Sequence, residues 1–122
     1  MFKNLRLVYI TTPDREEAQK IGRTLVQERL AACVNIVDGM HSMYWWEDRI
    51  EEADECILIA KTTLRYINKL TQRVKELHSY DCPCVITFTL NEQEGNAEYL
   101  DWLEHQTGFQ HPEERIFKNG DD

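Results

Sequence analysis

The chain has 122 residues, 42% of them hydrophobic and 30% charged, with a formal net charge of −8. A domain of this length buries a core without disulfide or metal staples. The acidic balance, with no cluster of Lys and Arg, excludes nucleic acid and anionic membrane surfaces as partners. The apolar runs are too short to span a membrane. The opening MFKNLRLVYITTPDREE carries no small-residue cleavage site of a secretory signal, so the cytoplasm is the expected compartment. The four cysteines, Cys33, Cys56, Cys82 and Cys84, contain no CxxC pair and predict no disulfide framework.

Leu5 to Ile10 (LRLVYI) is nearly continuous in its hydrophobicity and predicts a central strand. Thr12-Pro13-Asp14 predicts a helix start, with Thr12 as cap, Pro13 at the first helical position, and Asp14, Glu16 and Glu17 near the positive end of the dipole. The helix is expected to reach about Leu30, with Ala18, Ile21, Leu25 and Leu30 on one face. Gly22 beside them reads either as a close backbone approach or as a tolerated helical glycine. Ala32 to Val37 predicts a second strand that buries Cys33 as a small hydrophobe, and Asp38-Gly39 is a turn signal.

Residues 41 to 62, HSMYWWEDRIEEADECILIAKT, read as a long β-hairpin. Met43 to Trp46 and Cys56 to Ala60 flank a charged tip, Glu47 to Glu55, that holds seven charges. Trp45 and Trp46 point to opposite faces, because strand side chains alternate. A sheet covered on one face buries only one of them, and the other needs a second cover, such as a partner subunit. Whether Val37 and Met43 share one bent strand stays open at this level.

Thr62 and Thr63 offer caps for a helix over about Leu64 to Leu77, with Ile67, Leu70, Val74 and Leu77 as its apolar stripe. Cys84 to Leu90 predicts a strand, and Asn91 to Gly95 a polar loop. Asn96 caps a third helix, AEYLDWLEHQT, in which Tyr99, Leu100 and Leu103 pack and Gly108 marks the end. The fold class is therefore α+β: a ferredoxin-like βαββαβ unit with a long β-hairpin and a short C-terminal helix. One domain is expected over residues 1–108, followed by a C-terminal tail, 109–122, in which Phe109, Ile116 and Phe117 are the candidates for docking. Right-handed crossovers place the first two helices on one sheet face. The other face is left without cover, although LRLVYI and CVITFTL are apolar in both registers, so an oligomer that buries the open faces is predicted.

The segments ERLAACVNIV, SMYWWEDRIEE, LIAKT, VKELHSYDCP and GNAEYLDWL, in this order and spacing, resemble the CutA divalent-cation-tolerance family over about Leu5 to Gly108. The resemblance implies a homotrimer related in architecture to the PII signalling proteins, with hairpins wrapped onto neighbouring subunits. It implies a binding role in tolerance of copper and other divalent metal ions, and no catalysis. Trp46, Glu47, Lys61, His78 and Tyr80 match the family's inter-subunit cleft. His78 and Tyr80 match its His-Pro-Tyr motif, with Ser79 in place of the proline and Cys84 in place of a following glutamate. Some bacterial members carry a copper-associated cysteine where this chain has Ile10.

The segment His78-Ser79-Tyr80-Asp81-Cys82-Pro83-Cys84 gathers donors suited to a Cu or Zn ion. Two readings of it stand: His78, Cys82 and Cys84 hold metal, or His78 hydrogen-bonds near a subunit cleft while the cysteines pack. Lys61 beside Glu47 reads as a structural ion pair at a subunit junction or as an anion ligand. None of His41, His78, His105 and His111 sits in a motif with a Ser or Cys nucleophile, and there is no Gly-rich phosphate loop, so no enzyme is expected. The alternative to metal tolerance is a PII-like signalling or scaffold trimer that binds a small ligand or protein at its clefts.

Overall fold

The computed structural model describes residues 2–108; the expected tail and its candidate docking residues lie outside the described residues. The elements are β1 (Leu5–Thr12), α1 (Arg15–Gln27), β2 (Cys33–Trp46), β3 (Arg49–Thr63), a 3-10 turn (Leu64–Tyr66) that runs into α2 (Ile67–Leu77), β4 (Val85–Thr89) and α3 (Ala97–Gln106). The strands form one sheet in the order β2-β3-β1-β4, every pair antiparallel. This is the ferredoxin-like arrangement expected from the order of elements.

Val8 and Ile10 of β1 and Cys56, Leu58 and Ala60 of β3 face α1 and α2, where they meet Ile21, Leu25, Leu70 and Val74. Each such fully buried aliphatic side chain contributes about 1.5–3 kcal/mol. Gly22 is a close approach: a Cβ there would lie 3.1 Å from both Leu58 Cδ1 and Val34 Cγ2. Asp14, not Thr12, caps α1, its Oδ1 accepting the Glu17 N–H at 2.8 Å. Pairing of Thr12 with Cys56 keeps Thr12 in the sheet, so Pro13 bridges strand and cap and is not the first helical residue. The helix ends three residues short of Leu30 because Arg29 adopts φ 61; Leu30 enters the core from the following loop. Neither predicted cap is used: Thr63 stands at the cap position of the turn before α2 without a side-chain cap bond, and Thr62 donates its hydroxyl to the Leu30 carbonyl at 2.7 Å.

Two corrections concern β2. Asp38-Gly39 does not reverse the chain: the strand continues through it, with a bulge between Val37 and Met40 and Gly39 at φ 83. Cys33 is half-buried rather than buried, because it lies on the edge strand opposite Lys61, on the face that α1 and α2 leave bare.

The hairpin tip is shorter than its charges suggest. Pairing runs out to Trp46 opposite Arg49, so only Glu47 and Asp48 turn, at φ 50 and φ 62. Both central residues have positive φ, as a two-residue hairpin of the I′ kind requires. Arg49 to Glu55 is strand, with Ile50, Glu52 and Asp54 on one side and Glu51, Ala53 and Glu55 on the other. Outside the core Arg49, Glu51, Glu52 and Asp54 keep contact with water, which is how the charges fit a strand. The β1 ladder ends at Thr12 opposite Cys56, so β3 from Arg49 to Glu55 pairs with β2 alone and projects roughly 20 Å beyond the sheet body. The expectation that one tryptophan is covered by its own domain fails here. Trp45 is 72% exposed and Trp46 53%, because no helix among the described residues reaches the projecting ribbon's inner face.

The helix-free sheet face carries Leu7, Tyr9, Ile57 and Ile59, half-buried, and Val37, Ile86 and Phe88, exposed. The third helix packs at the sheet end against β3 and β1. Asn96 caps it by accepting the Glu98 N–H at 3.0 Å, and Leu103 is its buried anchor. Gly108 closes it at φ 82 and donates its N–H to the Arg29 carbonyl at 2.7 Å.

Candidate functional site

The end of α2 brings the 78–84 segment against the C-terminal end of β1 and the root of the hairpin. His78 stops the helix by turning extended (φ −78, ψ 143) and keeps its own N–H on the Val74 carbonyl at 2.8 Å. Its ring is buried, with the residue only 8% exposed. Nε2 lies 2.7 Å from the Thr11 carbonyl oxygen, which can only accept, so Nε2 carries the proton. Nδ1 in turn accepts the Tyr80 N–H at 3.0 Å, with Glu17 Oε2 at 3.3 Å. Both ring nitrogens are therefore engaged in fastening the loop. Glu17 Oε2 also accepts from the Ser79 N–H and the Ser79 hydroxyl, each at 3.0 Å. A proline at position 79 has no N–H to give, so the departure from the family motif adds a bond between the loop and α1.

Tyr80 stacks against His78, ring centroids 4.8 Å apart, and donates its hydroxyl to Glu55 Oε2 at 3.0 Å. Burial, then the hydrogen bond and charge of Glu55, push the phenol up to about 12, so it stays a donor. Cys84 is half-buried and its thiol is also pushed up, by burial first and by Glu55, against a lowering contact with Thr11. Cys82 is exposed. Between this loop and the hairpin lies a groove of about 600 Å³, walled by Tyr9, Tyr44, Trp46 and Tyr80, with Glu55 and Cys84 among its polar groups. Cys82 also lines it.

The predicted site residues thus separate into three places. Trp46, Tyr80, Cys82 and Cys84 share the groove. His78 lies behind it, bonded to backbone on both sides. Lys61 and Glu47 are not neighbours within one chain: Lys61 pairs across from Leu7 and Cys33, roughly 40 Å along the ribbon from the tip that holds Glu47. The Lys61 ammonium instead donates to Tyr99 Oη at 3.2 Å and sits 5.3 Å from that ring's centroid. Among the described residues no group of three or more His, Cys, Asp and Glu is arranged to hold a metal ion. His78, Cys82 and Cys84 do not close into a ligand set inside a single chain.

Sequence reasoning missed Glu55, Tyr9 and Tyr44 as site residues. Glu55 had been placed in the charged tip, and only strand alternation through 49–55 would have turned it toward the groove. His41 was also missed. On the ribbon's reverse side its Nδ1 contacts Asp54 at 2.9 Å and its Nε2 contacts Glu52 at 2.8 Å, and these partners, Asp54 first, raise its pKa.

Comparison with known proteins agrees with this architecture. The sequence profile of the family described as CutA1 divalent ion tolerance protein matches residues 6–106. The divalent-cation tolerance protein CutA of Thermus thermophilus is 48% identical over 102 residues, which is 84% of this chain and 97% of that one. A solved structure of the Thermus thermophilus protein superposes with a TM-score of 0.81 at 47% identity, covering 85% of this chain and 99% of the other. The crystal structure of CutA1 from Oryza sativa gives a TM-score of 0.82 at 40% identity over 87% of this chain and 95% of the other. With this profile matching most of its length, and this identity sustained over nearly the whole of its relative, the chain belongs to the CutA1 divalent ion tolerance family.

Proposed function

We propose that the protein contributes to divalent-cation tolerance as a cytoplasmic homotrimer that binds ions and does not catalyse a reaction. The observation that carries the assembly is the uncovered apolar surface. The helix-free sheet face presents Val37, Ile86 and Phe88 to solvent, and the projecting ribbon presents Met43, Trp45, Trp46 and Ile50. Large contiguous apolar surface of this kind marks an interaction site. A second copy supplies matching surface, and a ribbon that outreaches its own sheet is shaped to lie across a neighbour. The family resemblance supplies the stoichiometry of three, and contact between copies is the route by which Lys61 and Glu47 come to share a cleft. Light scattering is expected to give three times the 14.5 kDa chain mass; a monomer mass at micromolar concentration overturns the assembly.

The ion-binding part rests on donor chemistry. With His78 committed to Thr11 and Tyr80, the soft donors that remain at the groove are Cys82 and Cys84, and thiolates favour Cu(I) over hard cations. A Zn ion would need further ligands from a neighbouring copy or from solvent. Copper or zinc titration of protein purified without chelators tests this. Stoichiometric binding is expected, lost in Cys82→Ser with Cys84→Ser and weakened in His78→Ala through release of the loop. Because burial keeps the Cys84 thiol protonated, binding should release protons and tighten as pH rises. Absence of binding at stoichiometric metal overturns this part.

The groove favours a second reading, a PII-like trimer that takes a small ligand. Its volume of about 600 Å³ falls in the range of small-molecule sites. A thermal-shift screen of small ligands supports this reading if it gives a saturable hit; grooves filled by side chains of the neighbouring copy count against it.

A further inference from the structure

The loop that carries Cys82 and Cys84 hangs between two carboxylates. On the ribbon side Tyr80 donates its hydroxyl to Glu55 Oε2 at 3.0 Å. On the helix side Glu17 Oε2 accepts both the Ser79 N–H and the Ser79 hydroxyl, each at 3.0 Å. Glu17 is the third residue of α1, and its side chain is only 17% exposed. A glutamate at that point of a helix commonly reaches back to the N–H of its own capping residue. Here Asp14 caps the helix through its side chain and Glu17 Oε2 is directed to the loop instead. These contacts join two segments of one chain and depend on no open groove, so they hold whichever surface a neighbouring copy covers.

The sequence shows why the loop needs this clamp. The motif that His78 and Tyr80 resemble has a proline where Ser79 stands, and a proline ring fixes its own φ. His78 already has the extended backbone that precedes a proline, φ −78 and ψ 143. Serine leaves position 79 free to rotate, and rotation there swings the chain that leads to both thiols. Glu17 restrains the same position from outside, by two hydrogen bonds to an ionised acceptor. The N–H it holds is the group that a proline lacks. A loop ordered in advance loses less freedom when an ion binds, and so binds it more tightly.

We propose that Glu17 is the positioning residue of the thiol loop: a carboxylate on α1 that stands in for the motif's proline and sets Cys82 and Cys84 for ion binding. The proposal rests on the reading of these two thiols as the ion's donors and adds the residue that orders them. Glu17 touches no ion; it acts through Ser79. His78 fastens the start of the loop through Thr11 and the Tyr80 N–H, and Glu17 fixes the rotation that follows.

The test combines Glu17→Ala with Ser79→Pro in the full chain, read by amide hydrogen exchange at Tyr80 and by Cu(I) affinity in anaerobic competition with a chelator. The Tyr80 N–H, on His78 Nδ1 at 3.0 Å, reports the loop in every variant. Glu17→Ala should speed its exchange at least about 10-fold, the scale of a lost hydrogen bond to a charged group, and weaken Cu(I) by a similar factor. Glu17→Gln keeps an acceptor oxygen without the charge and should fall between; so should Ser79→Ala, which removes the hydroxyl bond alone. In the Ser79→Pro chain, Glu17→Ala should change either readout by less than about 2-fold, because the interaction it removes is already absent. A carboxylate that served only the helix dipole would act equally in both backgrounds, and Glu16→Gln, in the same turn and exposed, measures that contribution. Unchanged Tyr80 exchange in Glu17→Ala, an equal effect in the serine and proline chains, or faster exchange with Cu(I) affinity unaltered overturns the proposal. Faster exchange in a protein that binds no Cu(I) in any form removes the ion-binding reading and leaves Glu17 as the loop's anchor.

Discussion

Replacing Tyr80 by Phe deletes one oxygen atom and leaves the ring against His78. What is lost is the hydroxyl that donates to Glu55 Oε2 at 3.0 Å. A hydrogen bond to a charged group contributes about 1.5–3 kcal/mol. The lower end applies here, because Glu55 lines the groove, through which water reaches this carboxylate. The expected loss is therefore about 1.5 kcal/mol, which for a urea dependence of about 1–3 kcal/mol per molar moves the midpoint down by roughly 0.5–1.5 M. Urea unfolding at a fixed protomer concentration is the assay, since self-association makes apparent stability concentration-dependent. A double-mutant cycle with Glu55→Ala isolates the pair and should return a coupling of about 1.5 kcal/mol. A midpoint shift below about 0.1 M with a coupling below about 0.3 kcal/mol, within the additivity seen for independent sites, would falsify the assignment of Tyr80 as the carboxylate's anchor.

Three further outcomes follow from the geometry. His41 should titrate above its ordinary value of about 6.5, and Asp54→Asn should bring it back down, because Asp54 is the largest cause of the rise; an NMR titration unmoved by that change refutes the pairing. The sign follows from a raised folded pKa: the ribbon's stabilisation from His41 is present below about pH 6.5 and is lost as pH rises through the folded value. Gly108→Ala should destabilise by at least about 1 kcal/mol, since φ is +82 and the new Cβ would strike the Tyr66 ring; an unchanged melting temperature contradicts that placement. Thiol labelling under native conditions should modify Cys82 first and reach Cys56 only on unfolding, and early labelling of Cys56 would show the core to be misassigned.

The helices and the central strands were readable from periodicity alone. The α2 stripe of Ile67, Leu70, Val74 and Leu77 and the continuous run in β1 correspond to faces that one core buries, so pattern and burial have a single cause. The hairpin tip was misjudged for the opposite reason. Arg49 to Glu55 is strand although its side chains have low β-propensity, because its partner β2 and a two-residue turn impose the conformation. The site divides in the same way. Trp46, Tyr80, Cys82 and Cys84 were visible as residue types, and the fold does gather them. His78 was visible too, but its partners are a backbone carbonyl and a backbone N–H, which no side-chain pattern announces. Glu55 became a site residue only through its position in the strand.

The bulge at Asp38-Gly39 reconciles two registers in one strand. Before it, odd-numbered residues of β2 share a face with Ile57, Ile59 and Lys61; beyond it, the even-numbered Met40, Ser42 and Tyr44 lie opposite Glu55, Ala53 and Glu51 on that same face. The extra residue absorbs the difference between the register held by the sheet and the register set by the two-residue tip, which keeps Tyr44 and Trp46 on the groove side and Met43 and Trp45 on the other. Deleting Gly39 while keeping the tip would therefore close the bulge into a regular ladder and leave both registers in place, with Met40 still opposite Glu55 and His41 still opposite Asp54. The ribbon's two surfaces are thus fixed from its far end, by the tip and the unbroken β3, and the residue inserted at the root is the slack that lets one strand serve two registers.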